Sequence, residues 1–280
     1  MEKKSKIRLA VIISIGVVLI AGAFVVVKKA PDIFKSIKNS KAAAEYIKET
    51  INPDPKAKEI YEMDDDKFLK AANEAFVSKN EEYSDYLNVL IVKANKIKSK
   101  ILVEFLRDND NDLYFKYTLV SSVYSDTRGN VSRSKNNKII ALLDEEIDNV
   151  IKEIILSSAD FDGKENVLKR FIDLNDEKLS LTALSRLKYI NKEKAIEISD
   201  SVISEPEKYC DGLLWTSILI KGDKIADKSR NISEEEKQQL IDVCVETIKT
   251  HEEKSGIAGA ADMVLSELIT ESEKKALLGE

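Results

Sequence analysis

The sequence predicts an all-α protein, in which one N-terminal membrane-spanning helix precedes an irregular array of helical hairpins. Three observations lead there. Residues 7–27 read IRLAVIISIGVVLIAGAFVVV, with Arg8 as their one charge and none from Leu9 to Val27. The helix breakers Gly and Pro number nine and four in 280 residues, while Lys, Glu, Asp, Ile and Leu abound. Helix start signals then recur at short intervals along the rest of the chain.

The apolar run comes first in the chain. At ~1.5 Å of rise per residue it matches a hydrocarbon core of about 30 Å, and a helix satisfies its own backbone polar groups in lipid. Lysines flank it on both sides. The run is longer than the core of a cleaved signal peptide, which is about 7–15 residues. Although Ala21 and Ala23 offer a small-x-small pair, no polar stretch separates core from cut, so an uncleaved anchor is expected. The first cysteine is Cys210, which excludes a lipoprotein. Lys3, Lys4, Lys6 and Arg8 before the run balance Lys28, Lys29, Lys35, Lys38 and Lys41 after it, so the positive-inside rule is silent. A short tail before a large C-terminal part is the plan of a signal anchor, with the N-terminus in the cytoplasm and the bulk extracytoplasmic. The expected organisation is a basic tail at 1–6, an anchor at 7–27, a juxtamembrane helix and linker at 28–55, and a helical array at 56–280.

Past the anchor, Pro31 opens an amphipathic stretch carrying Ile33, Ile37, Ala44 and Ile47. Asn52-Pro53-Asp54-Pro55 then breaks the chain. Asp64, Asp65 and Asp66 precede Phe68, Ala72, Ala75 and Phe76, one helical face with acids at its start. A further helix is expected over 82–98. Residues 125–137, SDTRGNVSRSKNN, read as a long irregular loop, locally basic through Arg128, Arg133 and Lys135. Residues 138–156 read as one amphipathic helix through Ile140, Leu143, Ile147, Val150/Ile151 and Ile154. Capping-box spacing recurs at Asp162/Glu165, Ser233/Glu236 and Thr270/Glu273, and Asn175 or Asp176, Asn191, Ser204 and Ser255 suit N-caps.

There is an internal echo. Ile101-Leu102-x-x-Phe105-Leu106-x-x-Asn109-Asp110-x-x-Leu113 matches Val167-Leu168-x-x-Phe171-Ile172-x-x-Asn175-Asp176-x-x-Leu179. In each copy an apolar helix ends, an Asn-Asp turn follows, and a second apolar helix begins. With the helices expected to follow, at 179–189, 192–203, 207–226, 234–250 and 257–268, this pattern resembles the HEAT/armadillo-like α-solenoid superfamily over about 98–268. The resemblance implies a helical-hairpin array whose work is binding.

Charge and motif content narrow the function. Six of the 44 basic residues and one of the 50 acidic ones fall in the first 29, leaving 49 acids against 38 bases and a net of −11. Such a surface suits solubility and makes nucleic acid a poor partner. Asp108-Asn109-Asp110-Asn111-Asp112 fails as a calcium loop, since its sixth and twelfth positions are Leu113 and Leu119 rather than Gly and Glu. Asp160-Phe161-Asp162-Gly163 fails likewise at Lys169, and both read as acidic turns. His251 is the one histidine, and phosphate loops, dinucleotide fingerprints and nucleophile elbows do not appear. Cys210 and Cys244 read as two buried thiols. No enzyme, cofactor or metal is expected. Trp215, alone of its kind, lies in an apolar run and is either core or a binding anchor. The reading is a membrane-tethered, non-catalytic scaffold recruiting a protein partner, of bacterial type by its Lys-, Ile- and Asn-rich composition. Arg128, Arg133, Lys135 and Trp215 are its candidate partner-binding residues. A structural subunit of a membrane or cell-envelope complex, with Gly16, Ala21, Gly22 and Ala23 allowing close helix approach, and a hydrolase with an unrecognised site are the other readings.

Overall fold

A computed structural model describes residues 45–125, 131–226, 233–251 and 255–279, and every regular element among these is helical. Contacts divide the chain into two compact units. One runs through Phe105 and includes Ser121–Val131; the other is Leu106–Val120 with Ser132 onward.

In the first unit a π-helical turn, Ile47–Ile51, leads into α1 (Pro55–Glu62), α2 (Asp65–Ser78), α3 (Tyr83–Lys93) and the start of α4 (Ser99–Arg107). The predicted break at residues 52–55 becomes a helix start. Asp54 Oδ1 accepts the N–H groups of Lys56 and Ala57, and Pro55 takes the first helical position, where its missing N–H costs nothing. Phe68, Leu69, Leu90 and Ile97 are fully buried. The expected helix over 82–98 stops at Lys93. Lys98 then donates its backbone N–H to Asp65 Oδ2 at 2.9 Å, and a turn fills the interval. Lys93 is buried, and its ammonium donates to the carbonyls of Tyr61 (2.7 Å) and Met63 (2.6 Å) at the end of α1. It also lies 5.2 Å from the centre of the Phe68 ring. These are the orphan acceptors a helix C-terminus leaves. Burial nonetheless holds the Lys93 pKa below its ordinary value, against the pull of Asp65 and Asp64.

The second unit continues through α5 (Leu113–Ser125), α6 (Arg133–Ala141), a 3₁₀ turn at Leu142–Asp144, α7 (Asn149–Ser158), α8 (Glu165–Asp173), α9 (Leu179–Ile190) and α10 (Lys192–Ser204). After a 3₁₀ turn at Pro206–Lys208 come α11 (Asp211–Ala226), α12 (Glu234–Thr250), α13 (Gly256–Leu268) and α14 (Glu271–Leu278). Alternate helices stack: α7 packs on α9, α9 on α11 and α11 on α13, while α10 packs on α12 and α12 on α14. Sequential neighbours join the two rows through α8·α9, α9·α10, α10·α11 and α12·α13. Most of these helices thus bury a stripe against neighbours in the chain and the next but one, a packing consistent with an α-solenoid-like array.

The 66-residue echo coincides with helix boundaries. Ser99–Arg107 corresponds to Glu165–Asp173, and α5 and α9 both begin at the echoed leucine. Capping boxes form at Ser233/Glu236 and Thr270/Glu273. The one expected at Asp162/Glu165 does not, because left-handed Gly163 (φ 67°) intervenes and Lys164 becomes the N-cap. Ser204 ends α10 instead of starting a helix, its hydroxyl donating back to Asp200 O. The segment predicted over 207–226 starts at Asp211, after the 3₁₀ turn.

Two further expectations are corrected. The single helix over 138–156 is three pieces, α6, the 3₁₀ turn and α7, because Asp148 caps a new helix by accepting Val150 N–H at 2.8 Å. The apolar rhythm runs through the break because Leu142 and Leu143 are as buried as Ile139 and Ile151. The loop expected over 125–137 also contracts. Ser132 accepts Lys135 N–H and starts α6, so Arg133 and Lys135 belong to a helix. Among the described residues no helix is long and apolar enough to cross a membrane. The segments expected as anchor and juxtamembrane helix up to residue 44, and Arg128, lie outside the described residues.

Candidate functional site

Two asparagine side chains tie separate backbone segments of the second unit together. Asn136 on α6 donates its amide N–H to Asp160 O at 2.7 Å, and its Oδ1 accepts Asp160 N–H at 3.1 Å. Asn175 repeats the device between the α8–α9 turn and the segment before α11. It donates to Lys208 O at 3.1 Å and accepts Cys210 N–H at 2.8 Å. A primary amide carries a donor and an acceptor on one carbon, so it matches a stretch of extended backbone at two points. Asn175 sits in the left-handed region (φ 55°), which asparagine tolerates better than most residues.

The first copy of the echo leaves this gap open. Asn109 holds the same position in the sequence echo as Asn175, but its backbone is not in the left-handed region, and it is exposed and makes no side-chain hydrogen bond among the described residues. Between the α4–α5 turn and the turn before α7 lies a pocket of about 550 Å³, lined by Asn109, Asn111, Leu113, Lys116, Glu146 and Asp148. Lys116, the one charged residue of α5, is 4% exposed. Its ammonium has no hydrogen-bond or ion-pair partner among the described residues. Burial holds its pKa below the ordinary lysine value, and Asp108, Asp148, Asp110 and Asp112 only partly oppose that. Glu146 is exposed and its carboxylate is equally unpaired among the described residues.

Neighbouring groups fix the walls. Asp112 caps α5 by accepting Phe115 N–H at 2.7 Å, which confirms the acidic run there as a turn. Asp148 caps α7 in the same way. Arg107 clamps Glu145 with two bonds of 2.6 Å, which holds that carboxyl below its usual range. Among the described residues the pocket therefore presents three groups without a side-chain partner, the ammonium of largely buried Lys116, the Asn109 amide and the Glu146 carboxylate, which together suit a ligand carrying carbonyl, amide and cationic groups.

The residues singled out from sequence are placed elsewhere. Arg133 is exposed at the start of α6, whereas Lys135, two residues on, is 6% exposed and is not a surface cation. Trp215 is half-buried on α11, between buried Leu214 and Thr216. Arg133 and Lys135 share α6, which packs on α7, while Trp215 belongs to the α9–α11–α13 row. The cysteines are free thiols; Cys244 is fully buried and pushed up to about 12, and half-buried Cys210 is raised by burial too. His251 closes α12, its Nε2 3.4 Å from Asp211 Oδ2. Among the described residues no cluster of His, Cys, Asp and Glu is disposed to hold a metal ion. Sequence reasoning missed Lys116, Asn109 and Glu146. The signal was present in a lone lysine within LYFKYTLVSSVYS and in an asparagine shared by both copies. No protein-family model, no curated protein and no solved structure matches the chain.

Proposed function

We propose that the chain is a membrane-tethered, non-catalytic binding protein. In this reading residues 7–27 span the bilayer from a cytoplasmic N-terminus, and a HEAT-like helical array on the extracytoplasmic side recruits a protein partner. The observation that carries it is the open polar pocket between two successive turns of the second unit, with a largely buried lysine in its wall that has no partner among the described residues. Stacked helical arrays expose extended surfaces, and those are what they bind with. Tethering near a bilayer raises effective concentration, so modest intrinsic affinity suffices for recruitment.

The test is photo-crosslinking in cells from the full chain, with a benzophenone amino acid at Leu113, an exposed residue of the pocket lining, or at exposed Tyr189. Discrete adducts with one partner from Leu113, lost when residues 7–27 are deleted, are expected. Absence of any adduct would overturn the recruitment reading. In the same cells, Tyr189→Cys in a Cys210→Ser background should be labelled by an impermeant maleimide, since buried Cys244 stays silent. Protection until lysis would place the array in the cytoplasm.

A further inference from the structure

The second copy of the echo shows what the first copy is shaped to hold. There, Asn175 grips a passing backbone through Lys208 O and Cys210 N–H and so closes the gap between successive connections. In the first copy the corresponding gap is a pocket, and among the described residues neither Asn109 nor the 4%-exposed Lys116 in its wall has a side-chain partner. A largely buried lysine whose ammonium meets no protein acceptor loses part of its solvation uncompensated, and an incoming carbonyl oxygen supplies the missing acceptor. Around the pocket the balance is acidic: Asp108, Asp110, Asp112, Glu146 and Asp148 against Lys116. Ile147 and the 37%-exposed Leu113 in the lining give the pocket apolar contact area.

We propose that this pocket takes an extended, basic peptide segment of the recruited protein: the Asn109 amide, a donor and an acceptor on one carbon, bonds its backbone, Lys116 donates to one of its carbonyls, and Glu146 pairs with a lysine or arginine side chain. The inference rests on the recruitment reading and gives the partner its chemistry. An acidic segment is disfavoured, because Glu146 and Asp148 in the lining, with Asp108, Asp110 and Asp112 nearby, outweigh the one ammonium. A peptide whose backbone N–H is blocked loses the acceptor half of the asparagine grip.

The experiment uses the full chain in non-ionic detergent and fluorescein-labelled pentalysine, at an ionic strength of about 0.15 M, where exposed charges are largely screened beyond a Debye length. Binding is followed by fluorescence anisotropy. Saturable binding is expected, weakened about tenfold by Asn109→Ala or by N-methylation of the peptide backbone, and roughly threefold by Glu146→Gln. Pentaglutamate should not bind. Circular dichroism controls for folding, and the exposure of Asn109 and Glu146 makes both variants benign to the fold. No saturable binding to the wild type, equal binding of pentaglutamate, or indifference to both Asn109→Ala and backbone methylation would overturn the proposal. The last result would mean that acidic surface alone attracts the probe. Failure here is separable from failure of the recruitment reading. Crosslinked adducts that persist in an Asn109→Ala/Glu146→Gln chain sink the peptide proposal alone, whereas missing adducts sink recruitment and leave the pentalysine result standing.

Discussion

Lys116 and Lys221 are both lysines buried in the second unit, and they show two solutions to the same problem. Lys221 is 3% exposed and meets two acids, Asp200 and Glu236, the latter at 3.3 Å. One oxygen of Glu236 reaches Lys221 and the other accepts the Ser233 N–H in a capping box, so a single carboxylate serves both. Lys116 has no such partner among the described residues. Replacing it with an apolar side chain of similar length removes a desolvated charge, so Lys116→Met should stabilise the protein by about 1 kcal/mol in urea unfolding. The pH dependence has a definite sign. With its folded pKa below 10.5, Lys116 sheds its proton first in the folded state. Wild-type stability therefore rises as pH climbs through the window below 10.5, and the gain from Lys116→Met shrinks there. A methionine variant less stable than wild type at neutral pH would show that the ammonium is well satisfied.

Helices of this chain were legible where capping and apolar rhythm agreed. Ser233 and Thr270 announced α12 and α14 because the capping box is a local exchange of two hydrogen bonds, independent of the rest of the fold. The 101–113 echo announced both hairpins for a similar reason. The break near residue 145 was hidden, since Leu142, Leu143, Ile147 and Ile151 face the core on both sides of it. Only the cap at Asp148 marks it, among many aspartates. Lys135 looked like a loop cation until its helix turned it inward. The pocket escaped notice because it is a gap between two turns about 35 residues apart, which no local pattern records. How closely helices approach was equally invisible. A Cβ on Gly222 of α11 would lie 2.8 Å from Val264 Cγ2 of α13. Gly222→Ala should cost about 1–3 kcal/mol, and Val264→Ala in the same chain should recover part of that loss. Absence of recovery in a denaturation double-mutant cycle would place the strain elsewhere.

In the second unit, stacking to the next helix but one makes stability a chain of neighbour terms. α9 lies inside that chain, contacting α7, α8, α10 and α11, and contributes fully buried Ala183, Leu184 and Leu187. α14 touches α12 and α13 and buries none of its own residues. Hydrogen exchange should therefore run as a gradient, with α14 amides exchanging first and α9 amides last, near the global unfolding limit. Uniform protection from α9 to α14 would instead indicate one all-or-none block.

The two echoed asparagines differ in what the fold asks of them. Asn175 is committed to two internal hydrogen bonds, each worth about 1 kcal/mol, whereas Asn109 makes none from its side chain among the described residues. The same residue type thus fixes the backbone in one hairpin and leaves the turn of the other tolerant of substitution.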